Sequence, residues 1–311
     1  MKNKLVVKDN ALIEASFNLT LVEQRLMLLS IVQARELGEL TPSTPVEIPA
    51  LTYSKQYHVD ESTAYKSLIA ATKTLKRREF SYQDRYKDHD AITVAGWVNR
   101  ITYVKAKGLV VVYFSEEVIR MISRLEVQFT QYYLDQVSEF DSKYSIRLYE
   151  LVMKWENIGK TDKFEISDLR SMLGLKDNEY KTMSLFKVNV LDKATLEVNK
   201  KSDLRIRYEQ FRTGRSISHV QFKISQSRVV KLIKEPFEYT FKLTAKQVEL
   251  FARKLAYDTP FGSQYATVGE TLENFEIRLL GELKVVDKCR LYSDHLIRLG
   301  YAERQKKQLE G

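Results

Sequence analysis

Residues 142–174 read SKYSIRLYELVMKWENIGKTDKFEISDLRSMLG, and residues 182–225 read TMSLFKVNVLDKATLEVNKKSDLRIRYEQFRTGRSISHVQFKIS. Ser142 is a helix N-cap residue, since its hydroxyl can accept from an orphan N–H of the first turn. Behind it Ile146, Tyr149, Leu151 or Val152, and Trp155 recur at helical spacing until Gly159, which suits a helix stop. Phe164-Glu165-Ile166 alternates apolar and polar, as a half-buried strand does. Ser167–Leu173 predicts a short helix closed by Gly174, and 182–199 a longer one that buries Phe186, Val190, Ala194 and Val198. Two strands follow, Leu204–Phe211 and Ile217–Ser225, joined by Arg212-Thr213-Gly214-Arg215, where glycine admits a tight turn.

Helix, strand, helix, turn, helix and β-hairpin is the element order of a winged helix. Upstream, the same order is written in different residues. Thr20-Leu21-Val22-Glu23 is a capping box opening an amphipathic helix with Val22, Leu26, Leu29 and Ile31 or Val32 on one face. Gly38, Pro42 and Pro45 end it. A strand at Val46-Glu47-Ile48, a short helix near Thr52–Tyr57 and a longer helix over 61–78 follow, the last buried through Ala64, Leu68, Ala71 and Leu75. Strands are expected at 79–83, 92–104 and 109–114, with turns at Asp88-His89-Asp90 and Lys105-Ala106-Lys107-Gly108. Leu5, Leu12, Leu19 and Leu26 fall seven apart, but the Thr20 cap interrupts any continuous helix, so core packing is expected rather than a zipper.

The tail reads as helical. Thr244-Ala245-Lys246-Gln247 is another capping box, followed by Val248, Phe251, Ala252 and Leu255. Leu272, Phe275, Leu279 and Leu280 predict a second helix, and Val285, Cys289, Tyr292 and Leu296 a third. The expected class is α+β, with two tandem winged-helix domains at 1–133 and 134–230 and a helical accessory region at 231–311, starting near Pro236.

The chain has 311 residues, 44% of them hydrophobic, enough for several cores. No stretch approaches the ~18 apolar residues of a membrane helix, and no apolar run follows the charged start as in a signal peptide. The one cysteine, Cys289, has no internal disulfide partner, which suits a reducing cytoplasm. The formal charge is +9, and residues 200–234 hold most of it. Lys200, Lys201, Arg205, Arg207, Arg212, Arg215, Lys223, Arg228, Lys231 and Lys234 face only Asp203 and Glu209, a net +8. A concentrated basic stripe on a folded domain suits a polyanion.

In helix-turn-helix proteins the second helix enters the major groove with its N-terminal residues at the base edges. Here Phe186 and Val190 belong to the core, leaving Lys181, Ser184, Lys187, Val188, Asn189 and, a turn later, Lys193 facing out. Lysine suits guanine acceptors or phosphate, asparagine suits adenine, and Val188 suits a thymine methyl. Arg212 and Arg215 stand at the hairpin tip, where a wing meets phosphate or the minor groove. In the first domain the corresponding helix starts Asp60-Glu61-Ser62-Thr63, which suits the helix dipole and repels phosphate. Its basic residues Lys73 and Arg77, with Lys105 and Lys107 in the wing, are expected to touch DNA more weakly.

Enzyme signatures are missing, and neither cofactor nor metal is expected. There is no Gly-rich phosphate loop ending in Lys-Ser or Lys-Thr. His58, His89, His219 and His295 are scattered, with no His-x-His pair for a nickase metal among the 18 tyrosines. Asp88-His89-Asp90 reads as turn chemistry.

Three motifs in order carry a family likeness: Asn10-Ala11-Leu12-Ile13 with Leu19 to Leu26, Tyr144 to Leu151, and Gly214-Arg215 with Val220-Gln221-Phe222. Over about residues 5–225 the chain resembles the iteron-binding replication initiators of theta-replicating plasmids. The resemblance implies monomers on directly repeated origin sites in double-stranded DNA, the second domain making the main base contacts. It also implies a homodimer in equilibrium with the monomer through the first domain, opening of an AT-rich stretch, and recruitment of a host initiator and helicase. A winged-helix transcriptional regulator without initiator activity needs the same domains and is the alternative.

Overall fold

The computed structural model describes residues 4–123, 129–226, 243–267, 270–299 and 301, which fall into two compact units split near residue 233. The first unit starts with strand β1 (Leu5–Asp9), helix α1 (Asn10–Glu14), strand β2 (Ser16–Phe17) and helix α2 (Leu21–Ala34). The Thr20 capping box is formed: Thr20 Oγ1 accepts from the Glu23 N–H at 3.2 Å, and the Thr20 N–H donates to Glu23 Oε2 at 2.7 Å. Helix α2 departs from the amphipathic expectation, for it is buried nearly all round, from Glu23 through Val32. Its polar positions face other segments rather than solvent: Arg25 donates to the Phe140 carbonyl at 2.8 Å, and Glu23 holds Arg78. Leu12, Leu19 and Leu26 are all buried, in α1, before the cap and in α2, so the seven-residue spacing is core and not a zipper.

Next come β3 (Val46–Pro49), α3 (Ala50–Tyr57), α4 (Glu61–Leu75), β4 (Glu79–Tyr86), β5 (His89–Gly96), β6 (Val98–Val104) and β7 (Leu109–Phe114). One strand was expected over 92–104. It is two, in different sheets: β5 pairs with β4 and β2, whereas β6 pairs with β7 and β3. The change of ladder falls at Trp97. Its ring is buried against Phe17 and Phe80 at 4.8 and 4.9 Å between centroids, which draws the chain inward between the sheets. The expected turn at Asp88 shifts too, to Lys87-Asp88, with His89 and Asp90 already in β5.

Helix α5 (Glu116–Ser123) and strand β8 (Phe129–Tyr133) complete the first domain, β8 pairing antiparallel with β1 from Leu5↔Tyr133 to Asp9↔Phe129. A turn of helix, α6 (Asp135–Ser138), leads to the second winged helix. It contains α7 (Lys143–Met153), β9 (Phe164–Glu165), α8 (Ile166–Met172), α9 (Met183–Phe186), α10 (Asp192–Lys201), β10 (Leu204–Thr213) and β11 (Ser216–Gln226). The hairpin β10–β11 takes β9 on its other side, the sheet order expected of this fold.

A buried ionic cluster fastens the two winged helices together. Glu150 on α7 accepts from Lys8 of β1 at 2.6 Å, from Tyr132 Oη of β8 at 2.6 Å and from Arg147 at 2.8 Å. Arg147 lies over the Phe17 ring at 4.0 Å, with further donations to the carbonyls of Ile13, Ala15 and Met172. Burial works to raise the Glu150 carboxyl, but Lys8 and Arg147 outweigh it and the group ends below its ordinary range. Gly174 closes α8 in the left-handed region, at φ +74°, and a Cβ there would stand 2.2 Å from the Phe17 carbonyl oxygen. Only glycine permits that approach.

The second unit is helical: α11 (Ala245–Ala256), α12 (Thr259–Tyr265), α13 (Leu272–Glu282), α14 (Val286–Leu291) and α15 (Ser293–Arg298). The Thr244 capping box is present. The third expected helix breaks into α14 and α15 at Tyr292, whose hydroxyl donates to Glu282 at 2.6 Å. Its own core gathers Phe251, Leu255, Phe261, Phe275, Leu279, Cys289 and Tyr292. Pro236, the expected start of this region, lies outside the described residues.

Candidate nucleic-acid interface

Helices α9 and α10 form one rod, joined by a π-helical turn at Lys187–Leu191. Thr182 opens it, its hydroxyl accepting from the Leu185 N–H at 3.3 Å. Phe186, Val190, Leu191, Ala194 and Val198 are buried, as the spacing requires. The opposite face presents Ser184, Val188 and Lys193 to solvent, and Lys181 is exposed just before the cap. Lys187 and Asn189 are half-buried and already engaged. Lys187 Nζ donates to Asp192 at 2.8 Å, and Asp192 also accepts from Tyr208 Oη at 2.5 Å. Burial tends to raise the Asp192 carboxyl, yet Lys187 and Tyr208 pull it below its ordinary value. The Asn189 amide, in the π-helical turn, donates back to the Leu185 carbonyl at 3.1 Å.

Leu185 was missed. Beside Phe186 it reads as one more core residue, but it is 49% exposed and stands one turn before Val188, 54% exposed. The signal available was the spacing: Leu185 and Val188 are three apart and off the Phe186–Val190–Ala194 line.

The wing turns on two residues, Gly214 and Arg215, between the paired Thr213 and Ser216, with Gly214 at φ +61°. A register shift between Phe211 and Arg212 adds twist just before the tip. Arg212 and Arg215 are both exposed, and neither has an acidic partner among the described residues. The rest of the basic stripe divides. Lys201 is bound to Asp141 and Glu197, Lys223 to Glu209, and Arg205 to the carbonyls of Ser202 and Leu204. Lys200 and Arg207 stand exposed without an ion pair among the described residues. Arg228, Lys231 and Lys234 lie outside the described residues.

In the first domain Asp60 caps α4, its carboxylate accepting from Ser62 Oγ at 2.6 Å and the Thr63 N–H at 3.1 Å. Those bonds, Ser62 first, hold the Asp60 carboxyl below its ordinary value. Lys73 and Arg77 are exposed, but at the C-terminal end of the helix, away from the end that reads bases. Lys66, exposed in mid-helix and not singled out by sequence, is the nearer cation to that end. Lys105 and Lys107 occupy an exposed helical turn between β6 and β7, closed by Gly108 at φ +55°, in the position of a wing. Among the described residues no cluster of His, Cys, Asp and Glu could hold a metal, and no helix is long and apolar enough to cross a membrane.

Known proteins share this arrangement. Residues 5–153 match the family described as "Initiator Replication protein, WH1", and residues 165–224 match "Initiator Rep protein, WH2". Together these cover about two thirds of the chain. A replication initiation protein of Escherichia coli is 25% identical over 257 residues, 80% of this chain and 78% of that protein. An uncharacterised 27.6 kDa protein of Escherichia coli is 24% identical over 219 residues, 67% and 90% of the two chains. Among solved structures, the Pi initiator protein, crystallised with iteron DNA, aligns with a TM-score of 0.60 at 22% identity, covering 73% of this chain and 99% of that one. With both winged-helix models matched in order over about two thirds of its length, the chain belongs to the initiator replication protein family.

Proposed function

We propose that this initiator binds directly repeated sites at a plasmid origin, the second winged helix supplying most of the sequence readout. The observation that carries the reading is the joint exposure of the α9–α10 face and of two wing arginines, Arg212 and Arg215, that have no acidic partner among the described residues. A helix face reads base edges in the major groove while a wing fixes register on phosphate. The Pi initiator, with the same fold, was crystallised with iteron DNA, which supports the same target here. Lys66, Lys73, Arg77, Lys105 and Lys107 of the first domain would hold the other end of the site through its backbone.

The first domain also serves a homodimer in equilibrium with the monomer. Strand β5 is the outer strand of the β2–β4–β5 sheet, and Ile92 and Val94 on it are exposed, with Tyr86 of β4 near the hairpin end. An apolar edge strand of this kind is a template for a second copy. Bound monomers would strain an adjacent AT-rich stretch and gather the host initiator and helicase, in the cytoplasm. The protein acts by binding, without a metal or cofactor of its own.

Footprinting with the full chain on its origin tests the reading. Protection repeating at about two helical turns is the expected result. Equal affinity for random duplex at moderate salt overturns it.

A further inference from the structure

The helical unit has a closed core and still exposes apolar side chains. On α11, Val248, Phe251, Ala252 and Leu255 face inward. The opposite side carries Lys246, Leu250, Arg253 and Tyr257, which at spacings of four, three and four form one line along the helix, with the exposed Glu249 beside it and Lys246 and Arg253 outnumbering that acid. Tyr257 is 60% exposed, and Lys246 and Arg253 have no ion pair among the described residues. Helix α13 has the complementary character. Phe275 and Leu279 are buried, while Glu273, Ile277 and Gly281 line the outer side, flanked by half-exposed Glu276 and Leu280. Ile277 is 65% exposed. Glu270 and Glu282 are occupied by Arg278, but Glu273 and Glu276 are not paired among the described residues. Gly281 has no atom within 4 Å of where a Cβ would stand, leaving room for a ring to approach.

One helix therefore offers free bases around exposed Leu250 and Tyr257, and another offers free acids around Ile277. We propose that the unit links neighbouring copies of this chain head to tail, the α11 face of one copy seating on the α13 face of the next. The proposal rests on the reading that copies occupy directly repeated sites. Direct repeats relate neighbours by translation and rotation along the DNA, not by a two-fold axis. A contact repeated by such an operation joins two different surfaces, whereas a two-fold contact uses one surface twice. Two unlike, complementary faces on one small domain meet that requirement. A few residues a side make a weak contact in free solution. On DNA the neighbour is held at an effective concentration in the millimolar range, enough to make it count.

The test compares duplexes with one repeat and with two tandem repeats, using the full chain. The wild type is expected to bind two repeats cooperatively, by about tenfold, which is ~1.4 kcal/mol. Reversing one face, Lys246→Glu with Arg253→Glu, is expected to abolish cooperativity and leave single-repeat affinity and melting temperature unchanged. Reversing the other, Glu273→Arg with Glu276→Arg, should do the same. All four substitutions in one chain should restore it, because every junction again meets opposite charge. Independent binding by the wild type, cooperativity that survives either reversal, or no rescue by the fourfold variant overturns the proposal. Failure of the wild type to prefer even a single repeat would instead overturn the origin-binding reading.

Discussion

Removing the wing arginines should change the salt dependence of binding by an amount fixed in advance. Arg212 and Arg215 are exposed and have no acidic partner among the described residues, so each is free to displace a counterion from one phosphate. The slope of log K against log salt falls by about 0.9 per phosphate contact in duplex DNA. Between 50 and 200 mM salt, a fourfold change, each contact accounts for roughly a 3.5-fold loss of affinity, and two contacts for about 12-fold. Arg212→Ala with Arg215→Ala should therefore flatten the slope by about 1.8. The assay is fluorescence anisotropy on a labelled origin duplex across that salt range, with melting temperature followed in parallel. Lys201→Ala and Lys223→Ala are the controls. Both lysines carry the same charge but sit in ion pairs, so each should move the slope by clearly less than 0.9. An unchanged slope in the double arginine variant, or a larger effect from the paired lysines, would refute the assignment of the wing to phosphate.

Glu150→Gln strands Lys8 and Arg147 as buried charges, a class of change that costs about 3–5 kcal/mol; a melting temperature within 2 °C of wild type would show that the cluster holds nothing. Glu23 and Glu150 both have carboxyls held below their ordinary range by their cations against burial, so the stability they add is complete above the unfolded value of about 4.3 and is lost as pH falls through the lower folded values. Melting scans from pH 7 to pH 3 should show the decline beginning near pH 4, and a flat profile contradicts it. Leu185 and Val188 are exposed apolar groups on the proposed reading face, so replacing thymine by deoxyuridine at the contacted positions should weaken binding about fourfold per methyl, at ~0.8 kcal/mol each. A Leu185→Ala, Val188→Ala chain should be indifferent to the swap; equal sensitivity of both proteins would place the methyls elsewhere.

The elements that sequence predicts well are those whose signals are local. Thr20 and Thr244 close capping boxes with residues three positions away, and Gly214 sits in a turn that its own backbone demands. The features that local sequence does not show are set by distant chain. Residues 92–104 are mostly β-prone, with Gly96 the one local hint of a break, and Trp97's burial against Phe17 and Phe80 shows that the two halves serve different sheets. Helix α2 has a polar row that mimics a solvent face, because Glu23 and Arg25 are answered by Arg78 and the Phe140 carbonyl, far off in sequence. The interface shows the same division. Exposure of Ser184 and Val188 follows from helical period, whereas Lys181 precedes the helix cap and Lys193 lies beyond the π-helical turn. The engagement of Lys187 by Asp192 was within reach at five residues' distance, but Tyr208, which fixes Asp192 in place, comes from the hairpin.

The Lys8–Glu150 bond joins residues 142 positions apart. A ribosome working at about 5–20 residues per second exposes Lys8 roughly 7–30 s before its counter-ion has been made. Strand β1 waits nearly as long, since β8 begins only at Phe129. Through that interval the nascent chain carries an unmatched strand edge and an ammonium whose burial site does not yet exist. Strand β1 is thus made long before the partners that fix it, and emergence of α7 is the event that gives Lys8 its counter-ion.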